Sequence, residues 1–488
     1  MQQRTIKANF VLNLTNIVVG LLYPIITFPY ISRVLLPEGV GLIQFFQSVI
    51  NYFAMFAALG IPLYAVKEIA KVRDNVELRN QTAREILFLY LSLTLAAYSV
   101  LLLTGLSVGQ FKSNLLLFLI LSVHLFLDAI SCEWFYQGIE DFNYITIRSL
   151  IVRLISLIAL FVFVKSQSDI YIYALLLMIA EAGNYVFNFI HLRKFVNIFS
   201  TNFHKLNMRR HLKPALEIFM LNIIISIYIN LDSVMLGFLK GNSDVGYYAA
   251  ATRIVRALCG FSIALGAVIL PRLANYYNRH EMVLFRKLTK DSLAFTMIVL
   301  VPLSVMLIII APVLIPVFCG SAYYPSILTI QILAPIIIFL GISGIMGTKV
   351  LYAMDYQNIV ILCTALGAIS NLILNLILIP HFSYLGAAVA SLVAEFFVSA
   401  AMLVYAHRLI NITIFDKNLF HIVISTLFVA SLLFFINHHL KAMPLWVLIA
   451  DILAGGSIYV LCMAALRNEY LYQFYGIMVK YIKTNINH

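Results

Sequence analysis

The sequence predicts an all-α integral membrane protein, and three observations support this: the composition, the long apolar runs and the placement of the basic residues. Of the 488 residues, 62% are hydrophobic and only 11% are charged, and the mean hydropathy is +0.96. Soluble domains carry about 25% charged residues, so the charge on this chain cannot cover a water-exposed surface. Lipid must therefore solvate most of the exterior.

About fourteen segments are long and apolar enough to cross a bilayer, because a spanning helix needs about 20 mostly apolar residues. In chain order the predicted spans are 10–32, 42–66, 86–106, 115–136, 147–165, 170–192, 214–239, 245–270, 291–316, 326–350, 358–379, 384–406, 420–437 and 445–466.

The loops between these spans predict the orientation of the chain. If the N-terminus lies inside, 25 of the 33 Lys and Arg residues fall in inside loops and 5 in outside loops. Basic residues concentrate on the cytoplasmic side of membrane proteins, so both termini are expected in the cytoplasm. The same placement explains the net charge of +12 without a nucleic-acid partner. The five cysteines are isolated and show no metal-binding spacing, so we expect free apolar thiols and no metal site.

Short matches in register indicate that the second six spans repeat the first six. Val40-Gly41 corresponds to Val245-Gly246 at an offset of 205, and Ala180-Glu181 corresponds to Ala394-Glu395 at an offset of 214. Two parallel repeats imply two pseudo-symmetric lobes with a cavity between them. The predicted parts are an N-terminal six-helix lobe at 1–195, a cytoplasmic linker at 196–213, a C-terminal six-helix lobe at 214–410, two additional helices at 411–466 and a cytoplasmic tail at 467–488.

Several local motifs then become recognisable as those of one family. They are Pro37-Glu38-Gly39-Val40-Gly41, Trp134-Phe135-Tyr136-Gln137-Gly138 with Glu140, and Asn371-x-x-Leu-Asn375 followed by Ile379-Pro380, Gly386-Ala387-Ala388 and Glu395. In this order they resemble the polysaccharide repeat-unit flippases, the O-antigen/capsule branch of the multidrug/oligosaccharidyl-lipid/polysaccharide exporter superfamily. The resemblance extends over essentially the whole chain.

The resemblance implies a transporter and not an enzyme. It implies movement of undecaprenyl-pyrophosphate-linked oligosaccharide from the inner to the outer leaflet of a bacterial cytoplasmic (inner) membrane by ion-coupled alternating access. Lipid-linked oligosaccharide and membrane lipid are the implied partners, and the repeat-unit polymerase and chain-length regulator are candidate protein partners. No cofactor is implied beyond a coupling H⁺ or Na⁺.

Three rival functions were weighed on the same residues. A glycosyltransferase or polymerase fits poorly because the outer loops are short, and the nucleotide-binding, metalloprotease and nucleophile-elbow motifs are missing. A drug/cation antiporter of the same superfamily would share the fold, and so would a peptidoglycan-precursor lipid flippase. Arg253 and Arg256 favour a cationic cavity and hence a pyrophosphate-carrying lipid.

Four arginines within or beside the spans are candidate substrate-binding residues. Arg253 and Arg256 lie three residues apart on one helix face, and planar guanidinium groups match the oxygens of a pyrophosphate. The alternative for Arg253 is an ion pair with Asp232. Arg33 and Arg153 could also contact substrate, but snorkelling to the interface explains both, and Arg153 could pair with Glu133.

Four carboxylates are candidates for ion coupling. Glu181 and Glu395 fall near the middle of equivalent spans, where a lone buried carboxylate is suited to binding a proton. Asp128 shares a helix face with His124 four residues earlier, which predicts a titrating pair, a sodium site or a structural hydrogen bond. Asp232 is the fourth candidate.

Overall fold

The computed structural model of the protein describes residues 6–198, 206–412, 417–439 and 444–472. Most of the predicted cytoplasmic tail and part of the linker lie outside the described residues. The chain divides into two compact units, which meet in sequence between Gly246 and Tyr247.

The first unit contains nine helices among its described residues, and a tenth begins at its end. They are α1 (Ile6–Ala58), α2 (Ile61–Val72), α3 (Val76–Ser107), α4 (Gly109–Lys112), α5 (Leu115–Ala129), α6 (Glu133–Gly138), α7 (Phe142–Phe163), α8 (Ile170–Leu192), α9 (Arg209–Leu239) and the start of α10 (Asn242–Asn278).

The second unit continues with the rest of α10 and six further helices in its described part. They are α11 (Met282–Cys319), α12 (Ser326–Leu333), α13 (Ile336–Ile345), α14 (Gln357–Ile410), α15 (Lys417–His439) and α16 (Pro444–Ala465). A π-helical turn, Met346–Leu351, follows α13.

Two very long helices each contain two predicted spans. The backbone of α1 leaves the helical region at Leu36 (φ 57°), and that of α14 leaves it at Ser383 (φ 51°). We count α1 and α14 as two spans each, divided at these joints, and we count α5 with α6, and α12 with α13, as one span each. All fourteen predicted spans then correspond to helices in the described part of the chain. Ten of these helices are long and apolar enough to cross a membrane when α1 and α14 each count once.

The structure corrects the boundaries of three spans. The predicted second span ran to residue 66, but α1 ends at Ala58 because Leu59 and Gly60 adopt left-handed backbone angles (φ 44° and 74°), and α2 starts a new direction. The fourth span is interrupted at Cys132 (φ 49°) between α5 and α6. The tenth consists of α12 and α13 joined at Pro335.

The boundary between the compact units differs from the predicted linker because α9 packs along α1. Glycine permits the close approach: an added Cβ on Gly237 would overlap the Phe45 ring, and one on Gly60 would come within 2.6 Å of the Ala215 carbonyl oxygen. The side chains of Asn51 and Asn230 meet at 3.5 Å across the same interface. The repeat boundaries themselves stay a prediction.

The two matched Val-Gly motifs of the repeat contact each other in the first unit. A Cβ on Gly41 would overlap the carbonyl oxygen of Asn242, and a Cβ on Gly246 would overlap that of Pro37. The start of α10 therefore crosses α1 backbone against backbone, just after the joint at Leu36. This contact requires glycine at both positions.

We predict that Gly41→Ala and Gly246→Ala each destabilise the protein, since overpacking a tight contact costs about 1–3 kcal/mol. The midpoint of thermal unfolding in detergent should fall for both variants. Gly344→Ala is the control, because a Cβ there meets no atom within 4 Å. Alanine favours a helix over glycine by up to about 1 kcal/mol, so this control should keep or raise the midpoint. Equal midpoints for all three variants would contradict the crossing.

Candidate functional site

A small polar cavity in the first unit contains one of the predicted coupling carboxylates. Glu181 on α8 lies with its Oε2 atom 3.9 Å from Nε2 of His124 on α5. Gln47 and Asn51 of α1 complete the polar lining of a cavity of about 20 Å³. That volume holds about one water molecule. A carboxylate, an imidazole and two amides around such a space can bind a proton or a single monovalent cation.

Asp128 is close to this cavity but has a different partner. Its carboxylate accepts a 2.7 Å hydrogen bond from the Tyr90 hydroxyl on α3. The prediction that His124 and Asp128 share a face of α5 agrees with the helix, but His124 approaches Glu181 instead. Tyr185 on α8 lies within electrostatic range of both carboxylates, Asp128 and Glu181.

Arg153 on α7 lies against α1. Its guanidinium is 3.5–3.8 Å from the position that a Cβ on Gly20 would occupy, which is van der Waals distance from the α1 backbone. The hydroxyl of Tyr23, one turn further along α1, is within electrostatic range of both Arg153 and Glu181 and lies 3.1 Å from the Ser156 hydroxyl. Arg153 and Glu181 thus approach the same stretch of α1.

Glu133 on α6 has Arg148 as its strongest positive neighbour, ahead of Arg153, and its carboxylate is hydrogen-bonded to Asn184. Arg148 donates a hydrogen bond to the side chain of Asn188 and lies 4.7 Å from the centre of the Tyr144 ring. The sequence analysis counted Arg148 only as a loop charge. The available sequence signal was an acidic residue, Glu133, near the end of a predicted apolar span.

The remaining first-unit candidates occupy other positions. Arg33 folds back along α1 and donates a 2.6 Å hydrogen bond to the Pro29 carbonyl. Asp232 on α9 is buried and lies within electrostatic range of Tyr52 on α1. The proposed pair of Asp232 with Arg253 joins the two compact units and stays a prediction.

The second unit contains both arginines of α10 and the second repeat carboxylate. Arg256 is exposed and Arg253, one turn earlier, is half-buried. Glu395 on α14 is buried. Arg256 and Glu395 both act electrostatically on Cys259, so they lie in the same neighbourhood.

The most specific family motif forms a buried hydrogen-bonded ladder. Nδ2 of Asn375 donates to Oδ1 of Asn371 at 3.1 Å, and Nδ2 of Asn371 donates to the Ser391 hydroxyl at 3.5 Å. The Tyr248 hydroxyl of α10 lies 3.0 Å from the same serine. Gly386 allows the two segments of α14 to meet, because a Cβ there would overlap the Leu378 carbonyl. The ladder therefore connects α10 to both segments of α14, four residues from Glu395.

A charged network that the sequence analysis missed lies where α9 begins. Glu85 of α3 is fully buried, and its carboxylate accepts hydrogen bonds from Arg210 and His211 at 2.7 and 2.9 Å. The backbone N–H of Asn207 donates to the same carboxylate at 3.0 Å. The Tyr64 hydroxyl of α2 lies 2.8 Å from Nδ1 of His211. Its only sequence signal was an acidic residue at the start of an apolar run.

Among the described residues, neither a metal cluster nor a disulfide involves these polar groups. In the parts of the chain that the structure describes, no three His, Cys, Asp or Glu side chains group closely enough to hold a metal ion. The five cysteines, which lie in the described ranges, are free thiols.

Comparison with known families identifies the group to which these features belong. Residues 6–277, more than half of the chain, match the family of polysaccharide biosynthesis proteins. The chain belongs to this family. The resemblance that the motifs indicated is thereby confirmed, and the chain is a multi-pass membrane transporter of polysaccharide biosynthesis and not an enzyme.

Similar proteins support the same family and fold. A protein of Escherichia coli K12 named "Putative O-antigen transporter" is 27% identical over 392 residues, which are 79% of this chain and 93% of that protein. Among solved structures, the lipid II flippase MurJ in an inward closed conformation has a TM-score of 0.67 at 16% identity, covering 88% of this chain and 97% of MurJ. An inward-facing multidrug exporter has a TM-score of 0.63 at 14% identity, covering 80% of this chain and 94% of that one.

We predict that His211 makes stability depend on pH. Burial lowers the pKa of His211, and the hydrogen bond with Glu85 only partly opposes this. A folded-state pKa below the ordinary value of about 6.5 contributes stability above that pH, and the contribution is lost as the pH falls below it. The thermal unfolding midpoint of wild type should therefore drop more than that of His211→Gln between about pH 7.5 and about pH 5.5.

His280→Gln serves as the matched control, because His280 is exposed. It should follow wild type across the same pH range. If His211→Gln follows wild type as closely as the control does, the network does not depend on a neutral histidine.

Proposed function

We propose that this protein moves undecaprenyl-pyrophosphate-linked oligosaccharide repeat units from the inner to the outer leaflet of the cytoplasmic membrane. The observation that carries the proposal is the match to the E. coli protein named for O-antigen transport, which extends over 93% of that relative. The family match agrees with a role in polysaccharide assembly. The pyrophosphate of such a lipid-linked oligosaccharide is anionic, and arginines of this chain can bind it.

Arg253 and Arg256 are the proposed contacts of the pyrophosphate. They lie one helical turn apart on α10. The Arg256 side chain is exposed, and α10 continues for a further 22 residues beyond it, to Asn278. An arginine exposed to hydrocarbon would be costly, so an aqueous or anionic surrounding is the favourable one. Bidentate hydrogen bonds to phosphate oxygens would add geometric specificity.

Drug export and peptidoglycan-precursor transport are the competing functions, because the fold is shared with a multidrug exporter and with a lipid II flippase. A pair of arginines disfavours cationic drugs by repulsion. The glycan-related family and relative favour an oligosaccharide repeat unit over a peptidoglycan precursor.

We also propose that the protein lies in the cytoplasmic membrane with both termini in the cytoplasm and two six-helix repeats as the moving parts. Support comes from the 25 to 5 division of basic residues between the two sets of loops and from the contact of the matched Val-Gly motifs. The repeat-unit polymerase and the chain-length regulator remain candidate partners for the translocated product.

We predict that Arg253→Ala and Arg256→Ala each reduce translocation at least about tenfold, since a charge-assisted hydrogen bond to phosphate contributes about 1.5–3 kcal/mol. The assay uses proteoliposomes containing undecaprenyl-pyrophosphate oligosaccharide, and it scores how fast the glycan becomes accessible to an added glycosidase. Arg256→Lys should retain part of the rate because it keeps the charge and loses the planar donors.

Arg286→Ala is the control, because Arg286 is an exposed arginine of α11 in the same unit. If Arg253→Ala and Arg256→Ala match this control while wild type translocates the glycolipid, the function stands and the site assignment is wrong. If wild type moves no glycolipid but exports cationic dyes when a proton or sodium gradient is imposed, the proposed function is wrong.

We infer that Glu181 and His124 couple translocation to an ion gradient. The supporting geometry is their 3.9 Å approach beside a cavity with two amide side chains and room for about one water. Tyr23, within electrostatic range of Glu181, would transmit a change of charge there to α1. Protons are favoured as the coupling ion, because a carboxylate and an imidazole can each accept a proton.

We predict that Glu181→Gln abolishes the acceleration of translocation by an imposed proton gradient, because the amide cannot change charge. Initial rates should be measured with proton, sodium and no gradients. Glu469→Gln is the control, as Glu469 forms an exposed ion pair with Lys417. Retained acceleration in Glu181→Gln together with its loss in Glu395→Gln would move the coupling site to the second unit.

A further inference from the structure

A second cavity, of about 480 Å³, lies in the first unit among α2, α3 and the start of α9. Its volume falls within the range of about 300–1,000 Å³ that small-molecule sites occupy. Its charged lining residues are Lys67, Glu68, Lys71, Arg210 and Glu217. None of them belongs to the substrate or coupling sites proposed above.

The cavity is positioned at the end of the helices where the chain concentrates its basic residues. The apolar run of α3 starts at Ile86, and the α3 residues that line the cavity, Leu78 and Thr82, precede it. Leu78 is exposed, as are Leu212 and Leu216 on α9. Charged side chains next to exposed leucines at this end are typical of a lipid headgroup site, and basic pockets at the cytoplasmic ends of spanning helices bind phosphorylated headgroups.

One wall of the cavity is held rigidly by the network around Glu85. Arg210 donates through Nε to the fully buried Glu85, and its Nη2 lies 2.7 Å from the same carboxylate oxygen and donates to the Thr82 hydroxyl at 3.4 Å. His211 and Tyr64 of this network line the cavity as well. The buried carboxylate of Glu85 needs a partner, and its contacts with Arg210 and His211 fix this wall of the cavity.

Two of the basic side chains that line the cavity are paired with carboxylates, and one lysine and one glutamate are not paired with any described residue. Lys71 pairs with Glu68 at 2.7 Å, and Glu85 compensates Arg210. Lys67 and Glu217 are both exposed, and neither forms a hydrogen bond or ion pair with another described residue. The cavity thus offers one available ammonium group and one available carboxylate, with a further arginine beside them.

We propose that this cavity binds the headgroup of an aminophospholipid of the surrounding leaflet. Lys67, with Arg210 behind it, contacts the phosphate, and Glu217 accepts a hydrogen bond from the primary ammonium group of the lipid. A headgroup that carries phosphate without an amine leaves Glu217 facing an anion, which is unfavourable. The bound lipid would connect α2 to α9, the helix that begins the second predicted repeat.

The test is native mass spectrometry of the full-length protein released from detergent, with three lipids added in turn: phosphatidylethanolamine, phosphatidylglycerol and undecaprenyl pyrophosphate. Wild type should bind phosphatidylethanolamine tighter than phosphatidylglycerol. Exposed ion pairs contribute up to about 1 kcal/mol, so Lys67→Gln and Glu217→Gln should each weaken phosphatidylethanolamine binding about fivefold. Glu217→Gln should also remove the preference over phosphatidylglycerol.

Lys287→Gln is the matched control, because Lys287 is an exposed lysine outside the cavity and should leave lipid binding unchanged. The substituted residues are exposed, and unchanged thermal unfolding midpoints would verify folding. Equal binding of the two phospholipids by wild type overturns the proposal, as does unaltered binding in both cavity variants. Tighter binding of undecaprenyl pyrophosphate that depends on Lys67 overturns it too, and assigns the cavity to the transported lipid.

Discussion

Hydrocarbon offers no hydrogen bonds, and this constraint governs most of what the structure shows. Every backbone amide within the bilayer must find a partner inside the protein, which leaves the helix as the element for a chain of this composition. Polar side chains are subject to the same demand, because burying one without a partner costs several kcal/mol. The hydrogen bond from Tyr90 to Asp128 and the ladder from Asn375 to Ser391 are two results of it. Polar groups therefore occur in hydrogen-bonded pairs and clusters that connect neighbouring helical segments.

Close backbone approach is the second feature that follows from packing in lipid. Helices associate there through van der Waals contact and small residues, since the hydrophobic effect does not distinguish lipid from protein. Gly41 and Gly246 bring the matched motifs of the two repeats into backbone contact, and Gly386 does the same within α14. The joints at Leu36 and Ser383 lie within five residues of Gly41 and Gly386 in sequence. A change of direction and a tight crossing thus occur together, and both would be sensitive to motion between the helices concerned.

The two units contain different chemistry despite the internal repeat. The carboxylate, imidazole and amides around the small cavity belong to the first unit, whereas the pair of half-buried Arg253 and exposed Arg256 belongs to the second. The proposed function assigns ion coupling to the first unit and substrate binding to the second. The network around Glu85 lies at the start of α9, which is the boundary between the first and the second predicted repeat. Its compact hydrogen bonding gives this junction a fixed geometry.

The sequence alone determined the class of protein, the number of spans, the matched motifs and the family, because these depend on composition, apolar run length and local order. The helix boundary at Leu192 was predicted correctly, because an apolar run ends there at charged residues. The breaks at Leu59 and Cys132 were not predicted, because positive φ at a non-glycine residue has no reliable local signature. Only the tertiary structure decided which charges meet. Whether Asp128 pairs with His124 or with Tyr90, and whether Arg210 is a loop charge or the partner of Glu85, depends on which helices become neighbours, and spacing along one helix carries no information about that.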